Sequence, residues 1–155
     1  MSAEALLERY RQAKLRIATA ESCTGGMVAA RLTDVPGSSD VVERGFVTYS
    51  NEAKTEMLGV AASLLQHYGA VSAQVARSMA EGALAHARAD VAVAVTGIAG
   101  PGGATPGKPV GLVYLAIARR GTETKVERQQ FAGDRQAVRE GAAARALELL
   151  DGALA

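Results

Sequence analysis

Three stretches of this chain set hydroxyls, an amine or a guanidinium beside glycines or helix starts, where such groups gain chemical leverage. The first is Ala20-Glu21-Ser22-Cys23-Thr24-Gly25-Gly26, between an apolar run at 17–20 and a helix-like segment at 27–32. Ser22 has two readings there. It can cap the helix that begins near Gly25, a task Thr24 can share. It can instead be a nucleophile on a strand-to-helix turn, with the N–H groups of Thr24, Gly25 and Gly26 forming an oxyanion hole. Cys23 is the rival nucleophile. No histidine stands close by in sequence to generate its thiolate, so it reads as a small buried side chain pointing away from the site.

A nucleophilic serine needs a base. The only histidines, His67 and His86, lie in a polar helix-end stretch and on an Ala-rich helix, with no carboxylate or cysteine at ligand spacing. Neither a Ser-His-Asp relay nor a metal centre is expected. Lys54 is the remaining candidate. In the first turns of a helix it faces the positive end of the macrodipole, which disfavours its charged form, and burial beside an arginine would lower its pKa further. A neutral amine of that kind is what a general base requires. Glu52 acts the other way, and a solvated helix lysine is the competing reading.

The third stretch is Asp134-Arg135, where a forked guanidinium beside backbone donors suits a phosphate, or else an acidic cap precedes a solvated arginine. Thr96 and Gly97 end an apolar strand, the place where open α/β sheets take ligands. Residues 102–109, "GGATPGKP", match the first part of a phosphate-binding P-loop. Pro109 occupies the place of its magnesium-holding hydroxyl and a strand pattern follows, so nucleotide hydrolysis is not expected.

The elements that must position these groups follow from periodicity. Helices are expected over 3–14, from Gly25, from Ser50 or Asn51 to about Leu58, over 72–89, and over 135–150 behind an Asp134 cap. Strands are expected over 16–20, 44–49 and 91–96, with 110–118 and 124–131 forming a hairpin turned at Arg120-Gly121. Interleaved helices and strands with one hairpin predict an α/β fold, a three-layer α/β/α sandwich around a mixed, mainly parallel sheet of about five strands.

Length and composition bound the function. A chain of 155 residues with 48% hydrophobic content supports one core, so a single domain over 1–155 is expected. Seventeen basic and 16 acidic residues give a net charge of +1, too little for a nucleic-acid or anionic membrane footprint. No apolar run approaches a membrane span. One cysteine and no leader-like opening make a cytoplasmic location the expectation.

The motifs "TAESCTGG" at 19–26, "GSS" at 37–39, "RGFVTYSNEAK" at 44–54, "GAVS" at 69–72, "TGIAGPGG" at 96–103, "KPVG" at 108–111 and "FAGDR" at 131–135 closely resemble, in order, the CinA C-terminal domain family. The resemblance implies hydrolysis of the carboxamide of nicotinamide mononucleotide to nicotinate mononucleotide and ammonia, a salvage step needing no metal or cofactor. It implies a serine-lysine dyad on Ser22 and Lys54 with Tyr49 nearby, substrate contacts at Thr96 and Arg135, and a three-layer domain that commonly forms a homodimer. Thr24 and the glycines are then left to finish the helix start. Many relatives fuse this domain behind a larger one resembling molybdopterin-biosynthesis proteins. This chain opens close to the first helix, from which an active, unfused amidase is expected. The alternative is a catalytically silent nucleotide-binding module tied to competence or DNA damage.

Overall fold

The structure is a computed structural model and describes residues 2–155. Among the described residues six helices and five strands follow one another: α1 (Ala3–Ala13), β1 (Ile17–Glu21), α2 (Met27–Thr33), β2 (Val42–Val47), α3 (Asn51–Leu58), α4 (Ala62–Tyr68), α5 (Ala73–Ala85), β3 (Val91–Gly97), β4 (Leu112–Arg119), β5 (Lys125–Gln130) and α6 (Arg135–Gly152). The sheet order is β2-β1-β3-β4-β5. β1 pairs in parallel with β2 and β3, whereas β4 runs antiparallel to both neighbours. Four of the five strands therefore point the same way. This is the expected three-layer α/β/α sandwich with a mixed sheet.

The two faces of the sheet are built from residues of different size. β3 alternates Val91, Val93 and Val95 into a core shared with α1, α2 and α6, and Ala92 and Ala94 into one shared with α5. Ala18, Ala20, Ala116 and Ala118 extend that alanine face across β1 and β4. Successive strand side chains point to opposite sides, so the Val-Ala repeat makes one thick layer and one thin layer. α5 consequently lies close to the sheet, with its own Ala76, Ala80 and Ala83 buried.

Glycine continues this close packing outward. A Cβ at Gly82 would overlap the carbonyl of Leu58, so α5 can accept the C-terminal end of α3 only with glycine there. That contact holds α3, and with it Lys54, against α5.

Local chemistry explains where the expected and observed elements differ. The helix expected over 72–89 stops at Ala85, because Arg120 donates to the carbonyls of Leu84, Ala87 and Ala89 and ties down the chain end. α4 was not anticipated. Only Leu65 of its seven residues is buried, too little to give a helical period. Ser50 and Asp134 cap α3 and α6 through bonds to Ala53 N–H and Ala137 N–H, as their residue types predicted.

If Gly82 sets the spacing of α5 and α3, Gly82→Ala should lower unfolding stability by about 1–3 kcal/mol through overpacking. Urea denaturation checks this. An unchanged midpoint would show that α3 can move aside.

Candidate active site

The register of the central strands brings two distant turns together. Glu21 lies opposite Val47 of β2 and Val95 of β3. Just beyond, Ser22 N–H donates to Val95 O at 2.9 Å, and Thr48 N–H donates to Glu21 O at 2.9 Å. The turns after β1 and β2 thus leave the sheet side by side at the carboxyl ends of parallel strands. The Ser50 cap then starts α3 at once, which places Lys54 in its first turn over the turn after β1.

Lys54 is 1% exposed and Ser22 is 9% exposed. Lys54 Nζ lies 2.8 Å from Thr48 O, 3.4 Å from Ser50 O and 3.1 Å from Ser22 Oγ. Two of these neighbours are carbonyls, which only accept. A neutral amine has two N–H donors and one lone pair, so donation to the two carbonyls turns the lone pair toward the Ser22 hydroxyl. Burial pushes the Lys54 pKa below its ordinary value of 10.5. A Cys23 thiolate would oppose this, but burial also raises the Cys23 thiol to about 11, so at neutral pH that charge is missing. No arginine contributes to this lowering, and Glu52 is exposed.

Ser22 is not the cap of α2, and neither is Thr24. Glu21, 1% exposed, accepts from Val28 N–H at 2.8 Å and Ala29 N–H at 3.1 Å, and also takes the Thr24 hydroxyl at 2.6 Å. The carboxylate satisfies donors that otherwise remain unpaired at a helix start. Ser22 Oγ is thereby left to Lys54. On the other flank, Arg139 donates to Cys23 O and Thr24 O, each at 3.1 Å. Sequence reasoning missed both residues. Their signals were an acid inside an apolar strand, and an arginine one helical turn after Arg135.

The expected oxyanion donors divide. Gly25 N–H is bonded to Ser22 O at 3.0 Å, which removes it from that role. The N–H groups of Cys23, Thr24 and Gly26 donate to no acceptor among the described residues.

A cavity of about 300 Å³ opens over Ser22, at the low end of ligand sites, with Tyr49, Gly97, Gly100 and Arg135 in its wall. Cys23 also contributes to that wall, contrary to the expectation that it faces away, although its side chain packs in the larger core. Arg135 is exposed and donates to Gly100 O at 2.8 Å and to the Tyr49 hydroxyl at 3.0 Å. Tyr49 is 62% exposed and its hydroxyl meets Arg135 rather than Ser22 or Lys54. Thr96 is buried with its hydroxyl on Ala70 O, while Gly97 beside it reaches the cavity. No group of three or more His, Cys, Asp or Glu side chains able to hold a metal occurs among the described residues. No described helix is long and apolar enough to cross a membrane.

Fold and site together define a three-layer α/β/α domain that buries a serine-lysine pair at the ends of adjacent parallel strands. The CinA C-terminal domain profile matches residues 1–154, and the chain belongs to that family. It is 60% identical over 141 residues to a CinA-like protein of Akkermansia muciniphila, covering 90% of this chain and 34% of that one. It is 49% identical over 147 residues to a putative competence-damage inducible protein of Caldicellulosiruptor saccharolyticus, covering 95% and 36%. The chain therefore spans about a third of the length of these curated relatives. Crystal structures of a competence/damage inducible protein from Agrobacterium tumefaciens and of a CinA superfamily protein from Escherichia coli are similar throughout. The first is 48% identical with a TM-score of 0.95, covering 98% of this chain and 92% of that one. The second is 40% identical with a TM-score of 0.92, covering 96% and 87%.

A buried lysine with a lowered pKa weakens the fold wherever the unfolded chain binds the extra proton. Stability should rise with pH between the lowered value and 10.5. Lys54→Met, similar in volume and uncharged, should be at least as stable as wild type at neutral pH and should flatten that slope in urea titrations. A variant that is clearly less stable at neutral pH would mean that Lys54 is a structural cation.

Proposed function

We propose that this domain hydrolyses the carboxamide of nicotinamide mononucleotide to nicotinate mononucleotide and ammonia, using Ser22 as nucleophile and Lys54 as base. The observation that carries the proposal is the 3.1 Å approach of buried Lys54 Nζ to Ser22 Oγ, with both amine N–H groups directed to carbonyls. Family resemblance supplies the substrate. A binding module alone gives no reason to bury a lysine against a serine, because an unpaired cation is costly to desolvate.

In the first half-reaction Ser22 Oγ bonds to the amide carbon as its proton passes to Lys54 Nζ, and the backbone donors of Thr24 and Gly26 face the carbonyl oxygen as it becomes anionic. The C–N bond then breaks, and the Lys54 ammonium returns the proton to nitrogen, releasing ammonia. Tyr49 is a second donor candidate for this step through its place in the cavity wall. In the second half-reaction water attacks the nicotinoyl ester while Lys54 takes its proton. The ester C–O bond breaks and Ser22 Oγ is reprotonated. Arg135, at the cavity mouth beside the exposed Tyr49, grips the 5′-phosphate, and Gly97 allows the pyridine ring close to the backbone. Thr96 holds the wall behind it through Ala70. We place this enzyme in the cytoplasm, acting as a homodimer on a small molecule and without nucleic acid, membrane or cofactor.

Ammonia release from nicotinamide mononucleotide, nicotinamide riboside and nicotinamide tests the reading. The mononucleotide should be preferred, and Ser22→Ala and Lys54→Met should each lose on the order of 10³-fold or more in kcat. The rate should fall as pH drops through the lowered Lys54 pKa, since only the neutral amine accepts a proton. Activity that survives Ser22→Ala would overturn the nucleophile, and equal rates on nicotinamide would remove Arg135 from phosphate binding.

A further inference from the structure

We propose that Arg139 is a positioning residue for the reaction, bonding Cys23 O and Thr24 O on the carbonyl side of the turn after β1 so that the turn is fixed and the Thr24 N–H is polarised for the developing oxyanion. This rests on the amidase reading above.

Ser22 O accepts from Gly25 N–H at 3.0 Å. Cys23 O accepts from Arg139 Nε at 3.1 Å. Thr24 O accepts from Arg139 Nη2 at 3.1 Å and from Met27 N–H at 3.0 Å. Three consecutive carbonyls are thus bonded. In a trans peptide the N–H points opposite to the C=O, and the two groups belong to one conjugated plane. The N–H sharing a plane with Ser22 O is that of Cys23, and the one sharing a plane with Cys23 O is that of Thr24. Both lack an acceptor among the described residues. Drawing electron density toward a bonded carbonyl strengthens the N–H of the same plane as a donor, the cooperative effect found in hydrogen-bond chains.

The charge of Arg139 is also available for this purpose. No carboxylate pairs with it among the described ion pairs, whereas Arg11, Arg44 and Arg145 each hold an acid. Half-buried Arg139 bonds the two residues that follow Ser22, next to where negative charge forms in the transition state. Glu21, on the other flank, carries the opposing charge, but its carboxylate is held by Thr24 Oγ1, Val28 N–H and Ala29 N–H. Arg139 is committed to Cys23 O, whose partner N–H on Thr24 is unused, and to Thr24 O, whose partner N–H on Gly25 closes the turn on Ser22 O, which fits electrostatic preorganisation of the Thr24 donor.

The test compares wild type, Ser22→Ala, Arg139→Met and Arg139→Lys in the full chain. Ammonia release is measured alongside calorimetric binding of two probes: the pyridine-3-carboxaldehyde analogue of the substrate, which forms a tetrahedral adduct with a serine oxygen, and nicotinate mononucleotide, which does not. Arg139→Met should lower kcat about tenfold to a hundredfold, up to the effect of removing one direct oxyanion donor, with KM little changed. The aldehyde should lose a similar factor while the acid binds as before. Arg139→Lys, which can still reach one carbonyl, should recover part of both losses, and it carries the test alone if Arg139→Met fails to fold. Wild-type kcat and aldehyde affinity in a folded variant would overturn the proposal, as would equal weakening of both probes. If wild type itself neither releases ammonia nor binds the aldehyde more tightly than Ser22→Ala does, the amidase reading falls and this proposal with it.

Discussion

The contact between Lys54 and Ser22 depends on one constraint, the parallel pairing of β1 with β2. That pairing sets Glu21 opposite Val47, so the next residues of both strands emerge together. One of them carries the hydroxyl. The other, Thr48, offers the carbonyl that holds the amine at 2.8 Å. A shift of one residue in this register would turn the side chains of either strand to the opposite face. The pairing of Glu21 with Val95 and the bond from Ser22 N–H to Val95 O fix the turn from the other side.

Burying a lysine is costly, and the architecture shows where that cost is offset. The alanine face of the sheet brings α5 in close, Gly82 lets α3 dock on α5, and Lys54 is carried into a place water hardly reaches. Its neighbours accept hydrogen bonds without supplying negative charge. That combination favours the neutral amine, since an adjacent carboxylate would have held the proton on. The one buried carboxylate among the described residues, Glu21, is engaged by α2 and Thr24.

What could be read from the sequence was mostly local. The apolar strand at 91–96, the Ser50 and Asp134 caps and the hairpin at Arg120-Gly121 each announce themselves through residue type and spacing. Ser22 and Lys54 could be named as candidates, but their meeting depends on strand register and on the depth of α3, which no local pattern encodes. Glu21 is one polar residue among several in the sequence, and its role comes from the burial of β1 along its whole length, which turns the carboxylate into the cap of α2. Arg139 was hidden because its partners are backbone carbonyls of residues far away in the chain, and a carbonyl leaves no trace in the sequence. Gly25 was credited with a free N–H that the tight turn uses internally.

The central claim is that burial among uncharged acceptors lets Lys54 give up its proton more readily than an ordinary lysine, leaving a lone pair for the Ser22 hydroxyl. A heteronuclear NMR titration of the Lys54 Nζ resonance in the folded wild-type protein, assigned by its disappearance in Lys54→Met, tests it directly. The account predicts a midpoint clearly below the ordinary 10.5, as burial among uncharged acceptors requires. A Lys54 that titrates at or above 10.5 would contradict it, since the amine facing Ser22 would then have no lone pair to take its proton.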